Sequence, residues 1–101
     1  MELFVYSEVE KFLNTLSNED NAKAKRSLSL LRMYGRLLSP PDSKKISADI
    51  FELRVKASVQ IRLLYGFAKD RTVVVHGFVK KSQKLSPREL RLAQDRFEQL
   101  A

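Results

Sequence analysis

The chain contains no cysteine, a single histidine, three glycines and three prolines. Without cysteine it has no disulfide framework and no thiolate metal site, which fits a reducing compartment. The three glycines, Gly35, Gly66 and Gly77, are scattered, so no glycine-rich phosphate cradle exists and the motifs of nucleotide hydrolysis are absent. His76 has no second histidine with which to share a metal ion. No stretch approaches the roughly 20 apolar residues needed to span a bilayer, and the opening MELFVYSEVEKF is not a basic leader followed by a long apolar run. These absences describe an expected soluble, untargeted, cytoplasmic protein. At 101 residues and 44% hydrophobic, residues 1–101 are expected to form one domain.

What is present in excess is positive charge, and it is localised. Residues 1–43 hold six basic and six acidic side chains, and residues 85–101 hold three of each. Residues 44–84 hold ten basic against three acidic, which accounts for the whole net charge of +7. Charge concentrated in this way suits a polyanionic partner, of which nucleic acid is the commonest. The plainer alternative is a solvated basic face.

The same basic stretch has the two-residue period of β-strands. Phe51, Leu53 and Val55 alternate with Glu52, Arg54 and Lys56; Ile61, Leu63, Tyr65 and Phe67 alternate with a set that includes Arg62. Keeping both odd-numbered sets on one buried face requires paired residues whose numbers sum to an even value; a turn centred on Ser58 satisfies this and sets Arg54 directly across from Arg62. Two like charges facing each other are unfavourable by up to roughly 1 kcal/mol, so the even-numbered, outward face invites an anion. The run Val73-Val74-Val75 within residues 72–76 predicts a central strand buried on both faces.

Around this core the elements are read in order as β-α-α-β-β-β-α, an α+β fold with a mostly antiparallel sheet. A short strand at residues 2–6 is followed by a helix with capping-box spacing at Ser7-x-x-Glu10 and an apolar stripe of Val9, Phe12, Leu13 and Leu16, ending near Ser17. Ser17-x-x-Asp20 starts a second helix that reaches Tyr34, where Gly35 can stop it. Residues 36–49, with Ser39-Pro40-Pro41-Asp42, are expected to be a loop, with Lys44 and Lys45 at its exit. After the third strand of the basic stretch come Lys80, Lys81 and Lys84. Ser86-Pro87-Arg88-Glu89 then opens a last helix, with Leu90, Ala93, Phe97 and Leu100 directed at the sheet.

Glu52-Leu53-Arg54-Val55, Arg62-Leu63-Leu64-Tyr65 and His76-Gly77-Phe78-Val79-Lys80-Lys81, followed by Lys84, Pro87, Glu89 and Ala93, together resemble the RelE/ParE toxin superfamily, and within it the phage-derived HigB-like branch. The resemblance covers nearly the whole chain. It implies a RelE-like fold and a type II toxin that cleaves mRNA in the ribosomal A site without a metal or other cofactor. It also implies an antitoxin partner, in this branch often a helix-turn-helix, HigA-like protein. Two alternatives stay open: a ParE-like toxin that inhibits gyrase, and a non-catalytic nucleic-acid- or antitoxin-binding module.

Metal-independent RNA cleavage makes specific demands. The 2′-hydroxyl supplies the nucleophile, so the protein must orient the phosphate, neutralise charge on pentavalent phosphorus and move two protons. Arg54 and Arg62 suit the first two tasks, since guanidinium is always charged and bonds phosphate through two prongs. Lys81 is counted with the catalytic candidates; any one of Lys80, Lys81 and Lys84 can serve as the acid if its neighbours depress its pKa, and His76 or a carboxylate is the candidate base. Lys44, Lys45, Lys56, Lys80 and Lys84 are the candidate RNA-backbone ligands. Glu52 shares the face of the two arginines, as their ion-pair partner or as a base. Tyr65, odd-numbered, belongs with the core rather than with a base-stacking surface.

Overall fold

A computed structural model describes residues 2–100. The elements are β1 (Glu2–Val5), α1 (Ser7–Asn14), α2 (Asn18–Tyr34), a 3₁₀ turn (Gly35–Leu37), β2 (Ser43–Lys45), β3 (Phe51–Lys56), β4 (Gln60–Ala68), β5 (Arg71–Val79) and α3 (Pro87–Leu100). The fold is α+β, as expected, with one strand more than the sequence suggests. Residues 36–49 are not a plain loop: Ser43–Lys45 pairs antiparallel with β3 at the sheet edge.

The sheet order is β1-β5-β4-β3-β2, with β1 parallel to β5 and every other pair antiparallel. The Val73-Val74-Val75 strand, β5, is an interior strand as its apolar run requires, while β4 occupies the middle of the sheet. The hairpin register follows the parity argument: Leu53 pairs with Leu63, Arg54 with Arg62 and Val55 with Ile61.

Helices α1 and α2 cover one face of the sheet. Val9, Leu13, Leu28 and Leu31 pack there against Leu53, Ile61, Leu63, Tyr65 and Val74. The other face carries Leu64, Val73 and Val75 beneath Ala93 and Phe97 of α3, joined by Ile50. Full burial of each such aliphatic side chain is worth about 1.5–3 kcal/mol relative to exposure. Both faces of the middle strand are therefore covered, and this corrects the expectation that the even-numbered face of β3 and β4 points outward. Gly66 is required by the close cover: a Cβ there would lie 2.6 Å from the Asp49 carbonyl oxygen and 2.6 Å from Phe97 Cε1.

Helix ends agree with the sequence in part. Ser17 caps α2 by accepting a hydrogen bond from the Asp20 amide at 3.1 Å. The Asp20 carboxylate does not return to Ser17's amide; it accepts from the amide and hydroxyl of Ser58, tying the start of α2 to the β3–β4 turn. Gly35 ends α2 at φ 51° and ψ −122°, a backbone conformation open to glycine. The expected capping box at Ser7 does not form. Tyr6 is the N-cap, and its amide still bonds to the Val74 carbonyl at 2.9 Å as an extension of the β1 ladder, so Ser7 already lies inside α1. That helix also ends sooner than expected, at Asn14.

A break in register between β4 and β5 positions the functional face. Leu64 pairs with His76, but Tyr65 pairs with Val74, leaving Val75 as an extra residue. The bulge exchanges the faces of odd and even residues along β5. Before it, Val73 and Val75 face α3; beyond it His76 and Phe78 take that side, opposite Leu64 and Arg62.

Candidate nucleic-acid interface

Beyond the end of the α3 cover, the same sheet face changes from apolar to charged. Neighbouring strands place Lys44 beside Glu52, Arg54 beside Arg62, Lys56 beside Gln60 and Arg62 beside Phe78. Strand alternation puts all of these on one face. Of the expected site residues, Arg54, Arg62, Lys44, Lys56 and His76 are thus gathered together. Lys45 is not: it pairs with Phe51, and its ammonium lies 5.9 Å from that ring on the opposite face.

Glu52 organises the two arginines. It is 2% exposed and Arg62 is 8% exposed. Arg54 Nε donates to Glu52 Oε1 at 3.1 Å, and Arg62 Nε lies 3.7 Å from Glu52 Oε2. The second distance is that of an ion pair without a hydrogen bond, and the buried Arg62 Nε–H has no hydrogen-bond acceptor. The rest of the guanidinium is held locally: one terminal nitrogen donates to the Ile61 carbonyl at 3.0 Å, the other to Gln60 Oε1 at 3.2 Å. Burial lowers the Arg62 pKa below the ordinary arginine value; Glu52 works against this and Arg54 adds to it. An arginine stays cationic at neutral pH under such conditions. One carboxylate therefore faces two guanidinium groups, and the excess positive charge suits a second anion.

His76 has a partner that the sequence does not reveal. Its Nε2 lies 3.0 Å from Glu89 Oε2, and its ring stacks on Phe78 at 5.5 Å between centroids. Glu89 thus orients the histidine across the β5–α3 connection instead of closing a capping box. The expected cap is present nonetheless, as Ser86 Oγ accepts from the Arg88 amide at 3.3 Å. Tyr65 is buried, as its parity requires, and hydrogen-bonded to Ser43, with its phenol pKa raised by burial.

Arg62 also opens onto a cleft of about 530 Å³, which it lines with Gln60, Lys80, Lys81, Ser82 and Gln83. Lys81 and Lys80 are therefore brought to Arg62, whereas Lys84 lines a neighbouring cleft. Gln60 was not among the expected site residues. Its position two residues before Arg62, on the same strand face, was the available signal. Among the described residues no group of three or more His, Asp or Glu is arranged to hold a metal ion, and no helix is long and apolar enough to cross a membrane.

No curated protein matches the chain. The model of the family described as phage derived protein Gp49-like (DUF891) matches residues 11–98, a span that includes every charged side chain of the interface. The chain belongs to this phage-derived Gp49-like family, a family of RelE-like toxins.

Proposed function

We propose that the chain is the toxin of a type II toxin–antitoxin pair, of the HigB-like branch, and that it cleaves mRNA on the ribosome without a metal. The observation that supports this most is the Arg54–Arg62 pair facing across β3 and β4 with only one carboxylate between them. A phosphodiester in the cleft that Arg62 lines meets positive charge that this one carboxylate leaves uncompensated.

In the reaction, the 2′-oxygen attacks the adjacent phosphorus and the bond from phosphorus to the 5′-oxygen breaks, giving a 2′,3′-cyclic phosphate and a 5′-hydroxyl. Arg54 and Arg62 hold the nonbridging oxygens and stabilise the charge that builds on them. Lys81, in the Arg62 cleft, gives a proton to the leaving 5′-oxygen. The proton of the 2′-hydroxyl goes to a base on the same face, for which His76, oriented by Glu89, and Glu52 are the groups of suitable type. Lys44, Lys56 and Lys80 flank the site and draw in the RNA backbone. An antitoxin that covers this surface presents acidic residues to it.

The test is induced expression of wild type beside Arg62→Ala, with primer extension on a reporter message. New 5′ ends within translated frames that vanish in the variant are the expected result. Growth arrest with the message intact and DNA damaged would replace this reading with gyrase inhibition.

A further inference from the structure

Residues 80–82 form a ridge between two clefts. On one side is the Arg62 cleft; on the other, a cleft of about 360 Å³ whose remaining wall includes Phe78, Lys84, Ser86 and Arg88. Lys80, Lys81 and Ser82 line both. The ridge is fixed at each end: the Lys80 amide donates to the Gln60 carbonyl at 2.7 Å, and Ser82 Oγ donates to the Lys84 carbonyl at 3.0 Å.

The second cleft differs from the first in its charge balance. Among the described residues Lys80, Lys81, Lys84 and Arg88 take part in no ion pair. The one carboxylate lining the cleft, Glu89, is engaged by His76. Four cations thus line this cleft against a single carboxylate, Glu89, which pairs with none of them, whereas Arg62 is paired with Glu52. Phe78 links the two places, since it is the cross-strand partner of Arg62 and also lines the second cleft.

We infer that the second cleft is a subsite for the next phosphate along the RNA strand, with Lys84 and Arg88 on one wall, Lys80 and Lys81 on the ridge, and the intervening base against Phe78. This rests on the ribonuclease reading above and adds to it a minimum substrate: the protein grips two successive phosphates, so its smallest well-bound ligand is a trinucleotide. Arg88, which the sequence suggests only as part of a helix start, becomes an RNA ligand.

The test uses 2′-O-methyl RNA, which cannot be cleaved, as a dinucleotide with one phosphate and a trinucleotide with two, bound to the full chain and followed by NMR titration over a range of salt. For wild type the trinucleotide should bind more tightly, with a salt slope steeper by about 0.7. Lys84→Ala/Arg88→Ala should abolish both the gain and the extra slope, and Arg88→Lys should restore part of the gain. Arg62→Ala should weaken both ligands. A control that removes the same charge from α2, Lys25→Ala/Arg26→Ala, should keep the gain. Loss of the gain in this control as well, or its survival in Lys84→Ala/Arg88→Ala, would overturn the subsite while leaving RNA binding intact. Failure of wild type to bind either ligand would overturn the subsite and also count against the ribonuclease reading.

Discussion

Arg54 and Arg62 are direct partners across β3 and β4, and both reach for the carboxylate of Glu52, which is buried. The arrangement is stable only while the two guanidinium charges have an anion near them. Glu52→Gln keeps the shape and removes that anion. Losing one partner of a buried pair typically costs 3–5 kcal/mol; because the Arg54 side chain is 32% exposed, about 2–4 kcal/mol is expected here. Inorganic phosphate should recover more stability in Glu52→Gln than in wild type, because it binds the folded site in place of the missing carboxylate. Thermal melts of both proteins with and without phosphate measure this.

Asp20 carries the acid sensitivity of the link between α2 and the β3–β4 turn. Hydrogen bonds from the Ser58 side chain and then its backbone hold the carboxyl below its ordinary value of 3.8, against the opposing effect of burial. A carboxyl with a depressed folded-state pKa stabilises the fold fully above its unfolded value, and the contribution is lost as pH falls through the folded one. Asp20→Asn should therefore lower the melting temperature at pH 7. The gap to wild type should stay constant down to about pH 4 and close below it, as melts from pH 7 to pH 2 would record.

Gly66 should not tolerate a methyl group. Its Cβ would lie 2.6 Å from a backbone oxygen and 2.6 Å from the Phe97 ring, so either the Asp49 segment or α3 must shift. Gly66→Ala is expected to destabilise by about 1–3 kcal/mol, an overpacking cost, in chemical denaturation.

Removing the Tyr65 hydroxyl should loosen the sheet edge. It is the buried partner of Ser43, the first residue of β2. Tyr65→Phe leaves that serine without its partner, at a cost of about 1–3 kcal/mol. Faster hydrogen exchange confined to β2 and the adjoining edge of β3 is the expected signature.

The sequence reveals the parts of this fold that rest on strict alternation. The β3–β4 hairpin, with Arg54 opposite Arg62, follows from parity because one face of both strands is uniformly apolar. Strand β2 was hidden because Ser-Lys-Lys has no alternating apolar residues; its pairing depends on β3, not on its own sequence. The bulge at Val75 was hidden for a related reason. Val73-Val74-Val75 is apolar on both sides, so an inserted residue leaves no trace in the pattern, yet it sets His76 and Phe78 on the arginine face. Glu89 shows a third limit, since its local role as a capping residue gives way to a contact with His76, thirteen positions earlier.

The most direct measurement takes the purified chain with ribosomes stalled on a defined message and compares wild type with Arg62→Ala. A second message carries 2′-deoxyribose at the cut position. Wild type should cleave the all-ribose message to a 2′,3′-cyclic phosphate and a 5′-hydroxyl. It should leave the 2′-deoxy message whole, and Arg62→Ala should be slower by about 10²–10³-fold. Cleavage of the 2′-deoxy message at the same position, or an Arg62→Ala rate equal to that of wild type, would contradict phosphate activation between Arg54 and Arg62.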